Sequence, residues 1–157
     1  MIELKNVTTI QKADTKGLED YSLVVNNGQM CVLDKWEGTL VIRTLLGFQP
    51  VEEGYVTFDG MPLSERSAVF LRKMIAYVPS PEGFDNVEDL TQKQVELVEE
   101  ALHSDADILL AIDPVSHQSE EAAENIMNAL RHKAQQGRVV IVAGGRPHPS
   151  SPQGEAH

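Results

Sequence analysis

The stretch Ile108-Leu109-Leu110-Ala111-Ile112-Asp113-Pro114, followed by Val139-Val140-Ile141-Val142-Ala143, decides the fold. Each apolar run lacks a polar face to give to water, so each reads as a strand buried on both sides, as in a parallel sheet covered by helices. The residues between them predict a long amphipathic helix. Ser119 is its candidate cap, Glu120 and Glu121 fill its first turn, and Ala122, Ala123, Ile126, Met127, Ala129 and Leu130 form the inner face. Arg131, His132 and Lys133 near its end and Gly137 beyond it match the helix dipole and a glycine stop.

Towards the N-terminus the pattern changes to short β-rich runs, Ile2 to Thr8, Tyr21 to Val25 and Gln29 to Leu33, the last following an Asn26-Asn27-Gly28 turn. From Thr39, the residues Leu40, Val41, Thr44 and Leu45 with Gly47 after them predict a short helix. Gly54 to Asp59 alternates as a strand into an Asp59-Gly60 turn, Ser67 to Lys73 reads as a helix, and Met74 to Pro79 as a strand. Thr91 and Gln94 have capping-box spacing, and Leu90 with Val95 suits a hydrophobic staple, at the head of a helix running to about His103 with Val95, Val98, Ala101 and Leu102 inward. The expected fold class is α/β: a mostly parallel sheet with helices on both faces and an antiparallel β flank. The domain is expected to span 1–146, and 147–157, rich in proline and serine, to be a flexible tail.

Composition narrows the function. At 157 residues the chain is one domain long, and its lone cysteine, Cys31, sits in an apolar run and reads as a core residue. No apolar stretch approaches the roughly 18 residues of a membrane span, so the expectation is a cytoplasmic protein without membrane insertion. The net charge is -11, from 24 acidic and 13 basic residues, and no basic stripe compensates it. Nucleic acid is therefore not an expected partner. The 5 histidines show no metal-ligand spacing, and no metal site is expected.

The order of segments resembles the nucleotide-binding domain of ABC transporters. "MIELKNVT" is similar to that family's opening strand, and "GLEDYSLVVNNGQM" to its second strand and the turn into the P-loop strand. "RTLLGFQPVEEGYVTFDGMPLS" resembles the helix after the P-loop and the next strand. "LRKMIAYVPS" resembles the run into the Q-loop, "ALHSDADILLAIDPVS" the stretch through Walker B, and "GRVVIVAGGR" the strand before the switch histidine. The resemblance implies a P-loop NTPase fold with the family's helical subdomain missing, because Ser80 and Leu90 are only 10 positions apart (90 minus 80) where that subdomain is inserted.

The resemblance also says where chemistry should sit. A P-loop, G-x-x-x-x-G-K-[ST], wraps phosphates in backbone N–H groups while its lysine neutralises them and its hydroxyl holds magnesium. After Leu33 this chain has Asp34-Lys35-Trp36-Glu37-Gly38-Thr39-Leu40, expected to form a shortened loop with acids where phosphate would lie. Two unit charges about 4 Å apart interact by about 4 kcal/mol at an effective dielectric near 20, enough to oppose nucleotide if Asp34 and Glu37 face it. Lys35, Gly38, Thr39 and Ser80, the last at the Q-loop position, are the vestigial cofactor-binding candidates; Lys35 is expected to be a solvated loop charge. Trp36 is expected to plug the vacated phosphate cavity. The adenine-stacking aromatic falls in Ile10-Gln11-Lys12, nearest Lys12, and the LSGGQ signature at or within two residues of Leu90 to Gln94, without its glycines. Ile112 replaces the magnesium aspartate and Asp113 stands at the catalytic glutamate, or Asp113 slides onto the magnesium position and Pro114 replaces the general base; Gly145 or Gly144 stands at the switch histidine and Ser119 at the D-loop aspartate, with His117 near that dimer-facing loop.

Asp113 and Gly145 are thus vestigial catalytic positions, and no cofactor is expected. The function implied is a non-catalytic, pseudo-ATPase module with a regulatory or interaction role, its partner being a second copy, another ABC subunit or a scaffold protein. The alternatives are an accessory ABC subunit with weak residual ATP/Mg binding, and a divergent NTPase using Asp113 and Lys35.

Overall fold

A computed structural model of the chain describes residues 1–11, 16–84 and 88–146. Lys12 and the 147–157 tail lie outside the described residues. Two sheets share the molecule. Strands β1 (Ile2–Thr9), β2 (Tyr21–Val25), β4 (Val51–Phe58) and β5 (Met61–Pro62) form an antiparallel sheet in the order β2-β1-β4-β5. Strands β3 (Met30–Leu33), β6 (Ile75–Val78), β7 (Ile108–Ile112) and β8 (Val139–Ala143) form a parallel sheet in the order β3-β8-β7-β6. The mostly parallel core and antiparallel flank read from the sequence are both present.

Helices α1 (Lys35–Leu45), α2 (Glu65–Arg72), α3 (Leu90–Leu102) and α4 (Glu120–Gln135) connect these strands. Every residue of β7 and β8 is buried. Because side chains alternate along a strand, Ile108, Leu110 and Ile112 enter one core while Leu109 and Ala111 enter another. The first core holds α1 between the two sheets, with Ile2, Leu4, Val56 and Phe58 from the antiparallel side. The second is roofed by Val98 and Ala101 of α3 and Leu130 and Ala134 of α4.

Local chemistry sets the element ends. Ser119 caps α4 by accepting from the Ala122 N–H, and Gly137 follows the helix at φ 91°. Asp59 and Gly60, at φ 48° and 84°, are the two central residues of a tight turn that pairs Phe58 with Met61, the left-handed geometry that type I′ hairpins demand. Helix α2 starts at Glu65 rather than Ser67, because Ser64 and Ser67 form a reciprocal capping box. Strand β4 begins at Val51, earlier than Gly54, since Val51 and Glu53 pair with Thr9 and Thr8 of β1. Between β6 and α3 the described residues contain only a 3-10 turn, Pro81–Gly83, with no further helix.

Candidate functional site

In open α/β sheets ligands gather at the carboxyl ends of the strands. Here Leu33 of β3, Ala143 of β8 and Ile112 of β7 end side by side. The expected loop 34–40 is absent: β3 passes into α1 through Asp34 alone, and the helix begins at Lys35, four residues before Thr39 (39 minus 35). Asp34 is extended (φ -64°, ψ 161°), and its carboxylate accepts from the Glu37 N–H at 2.9 Å. A helix start is a ready anion site, because its first N–H groups are unpaired and the dipole is positive there. In this chain the anion is its own side chain.

Gly38 accordingly has no phosphate-loop geometry; it lies inside α1. A β-carbon there would meet Ala143 Cβ at 2.5 Å and Ala143 Cα at 2.7 Å, so glycine is what lets the helix lie on β8. The Thr39 hydroxyl donates to the Lys35 carbonyl one turn back. The second acid, Glu37, accepts from the Tyr21 hydroxyl. Burial, and then that bond to Glu37, push the Tyr21 phenol well above its ordinary range, and burial with Glu37 likewise raises the Cys31 thiol.

Lys35 also departs from expectation. Its Nζ lies 3.1 Å from Asp113 Oδ2; the Asp113 side chain is 3% exposed and that of Lys35 52%. A buried carboxylate is costly unless paired, so the lysine compensates a charge that the fold has already removed from water. Asp113 adopts φ 52°, a left-handed conformation that costs a residue with a β-carbon of order 1–3 kcal/mol. Its N–H donates to the Ala143 carbonyl at 2.7 Å, and its own carbonyl accepts from Gln94 Nε2 at 2.7 Å, which together hold that conformation. Beside the pair, Gly144 is at φ 73°. At Gly145 a β-carbon would come within 2.9 Å of Met127 Cε and Val32 Cγ1, both side-chain atoms that would have to shift to admit it.

Gln94, read from the sequence as the capping-box partner of Thr91 and as part of the signature region, has a role that sequence reasoning missed. It is fully buried and donates to the Asp113 carbonyl and to Ser116 Oγ (3.1 Å), while its Oε1 accepts from the His117 N–H at 2.9 Å and from Gln118 Nε2 at 3.0 Å. The cap of α3 is Asp89, whose side chain accepts from the Gln92 N–H, so Thr91 and Gln94 form no capping box. The Thr91 hydroxyl instead donates to the His117 carbonyl, and the His117 ring pairs with Glu82 at 2.8 Å. The available signal was a glutamine on the inner face of a helix, one turn before Val98. Ser80 is the residue before the 3-10 turn; its carbonyl accepts from the Gly83 N–H at 3.2 Å, and its side chain makes no cap.

Trp36 plugs nothing: it is 56% exposed and lines a cavity of about 670 Å³ along α1, with Lys35, Thr39, Leu40 and Arg43 on the helix side and Ile10, Phe48 and Pro50 opposite. Among the described residues no cluster of His, Cys, Asp and Glu has the makings of a metal site.

No family model matches the sequence, and no curated protein matches it. Solved structures do. The chain is similar to a putative ABC transporter ATP-binding protein from Pyrococcus furiosus, at 12% identity and a TM-score of 0.72 over 95% of this chain and 92% of that one. It is similar to cbiO1 of Clostridium perfringens, described as part of the ABC transporter complex cbiONQ, at 14% identity and 0.67 over 91% and 77%. A third is an ATP-binding cassette solved as a dimer in a post-hydrolysis state with ADP and Pi, at 15% identity and 0.71 over 92% and 88%. At these identities the likeness speaks for the fold alone.

Proposed function

We propose that this chain, which has the fold of an ATP-binding cassette, is a non-catalytic module that acts through protein contacts, in a regulatory or interaction role. The carrying observation is the start of α1. Asp34 occupies the helix N-terminus that would receive phosphate, and Lys35, the one lysine nearby in sequence, is engaged by Asp113. MgATP does not fit these residues. The nucleotide would have to displace one carboxylate from the helix start and compete with another for the lysine, with Ile112 in place of a magnesium carboxylate and Gly145 in place of the switch histidine. Phosphoryl transfer depends on such preorganised charges, and this arrangement leaves no route to hydrolysis.

The partner proposed is a protein: a second copy, an ABC subunit or a scaffold. The description of cbiO1 as one part of a complex supports that reading. No helix among the described residues is long and apolar enough to cross a membrane, which supports a cytoplasmic setting for a module of this fold.

A second reading, an accessory subunit with weak nucleotide binding, is favoured by the cavity of aromatic and cationic residues beside α1. A thermal-shift titration with MgATP separates the two. A ligand at about 100 times its dissociation constant adds about 2.7 kcal/mol, roughly 5–10 °C for a domain of this size. The proposal expects no shift at millimolar MgATP, no ATPase turnover and no nucleotide-dependent dimer. A saturable shift supports the accessory subunit, and turnover that vanishes in Asp113→Asn supports the divergent NTPase.

A further inference from the structure

We infer that the cavity along α1 is a binding site for a small amphipathic monoanion, a flat apolar body carrying a single carboxylate; this goes beyond the interaction role proposed above. Its volume, about 670 Å³, lies within the range of small-molecule sites, whose walls are mostly apolar with a few placed polar groups. One wall is a side of α1: Lys35, Thr39 and Arg43 recur every fourth residue, with Trp36 and Leu40 alongside, over about 12 Å of helix. The other carries Ile10, Lys16, Phe48, Gln49 and Pro50, and is braced by bonds from Gln49 Nε2 to the Ile10 carbonyl and from the Ile10 N–H to the Pro50 carbonyl, both 3.0 Å.

Charge selects the ligand. In a chain of net charge -11, the described lining contains three cationic side chains and no Asp or Glu. Lys35 is engaged by Asp113, whereas among the described residues neither Lys16 nor Arg43 has a carboxylate within ion-pair distance. The Arg43 guanidinium stands 6.0 Å from the Phe48 ring centroid, so a cation and an aromatic face of the lining lie side by side. Trp36 and Phe48, both more than half exposed, offer flat apolar faces. A polyphosphate would need the α1 start, which Asp34 caps; a monoanion needs only the side of the helix.

Trp36 is the only tryptophan of the chain, so its fluorescence reports on this cavity alone. The test titrates the full chain with 1-naphthoate and with its neutral counterpart, 1-naphthalenemethanol, following that emission. The expected result is a saturable change with naphthoate, about tenfold weaker binding of the alcohol, and about tenfold weaker naphthoate binding in Arg43→Gln. Arg131→Gln, on α4 across the parallel sheet, leaves the titration unchanged, and circular dichroism checks that both variants are folded. No saturable response, or equal affinity for acid and alcohol, overturns the inference. Displacement of naphthoate by low-millimolar MgATP overturns it as well, and with it the proposed function; failure of naphthoate without any MgATP response leaves that function standing.

Discussion

From β3 to α1 the chain needs one residue, Asp34, whose carboxylate takes the Glu37 N–H three positions on, while the bare Gly38 makes a distant contact, lying against Ala143 of β8. From β7 to α4 it takes residues 113–119, and what fixes them comes from afar: the Ala143 carbonyl, Lys35 and the buried Gln94 amide. Both junctions open on the same edge of the same sheet. The first shows how a helix start can cap one of its own N–H groups without a ligand. The second shows that a buried amide from another helix can take up a loop's polar atoms without a ligand.

The comparison breaks most easily at the second junction. Gln94→Leu removes the amide from the Asp113 carbonyl and the His117 N–H, and each buried group that loses its partner costs about 1–3 kcal/mol, so denaturant unfolding should register a loss of about 2–6 kcal/mol. A loss below about 1 kcal/mol means that water replaces the amide and that the loop does not depend on α3.

At the first junction two effects of opposite sign meet in Gly38→Ala. Helix propensity alone favours alanine by about 1 kcal/mol. The added methyl, however, collides with backbone of β8, and overpacking of this kind costs about 1–3 kcal/mol. Backbone cannot rotate out of the way as a side chain can, so a net loss of up to about 2 kcal/mol is expected. A variant more stable than the parent shows that α1 can move off the sheet.

The smallest effect is at high pH. The Tyr21 proton is held more tightly in the folded chain than in the unfolded one, where tyrosine titrates near about 10. The folded state therefore keeps this contribution below that pH and loses it as pH rises through the higher folded value. Stability measured between about pH 9 and 11 should decline less steeply in Tyr21→Phe. An unchanged slope assigns the decline to other groups, Cys31 and Tyr77 among them, which burial also raises.

Legibility in the sequence followed how local each signal was. Strands β7 and β8 and helix α4 were readable because five buried residues in a row, a serine cap and a glycine stop each act within a few residues. The start of α1 was misplaced because Gly38 reads as a loop residue unless one knows that Ala143 lies beneath it. Asp34 and Glu37 at cap spacing were the local clue. The Lys35–Asp113 pair spans residues far apart in the chain, and the role of Gln94 depends on which way α3 faces; neither leaves a pattern within a window of sequence. Trp36 was expected to be inside because a cavity was assumed where α1 instead closes directly onto β3.

The central claim is that Asp34 caps the first turn of α1, its carboxylate holding the Glu37 N–H where phosphate would bind. The most direct measurement is the backbone amide spectrum of the isotope-labelled chain titrated with MgATP and MgADP, watching the N–H signals of Lys35 through Thr39. These signals should stay fixed to at least about 1 mM nucleotide. Saturable shifts at Glu37 and Gly38 below that concentration would mean that phosphate displaces the Asp34 carboxylate, and would contradict the claim.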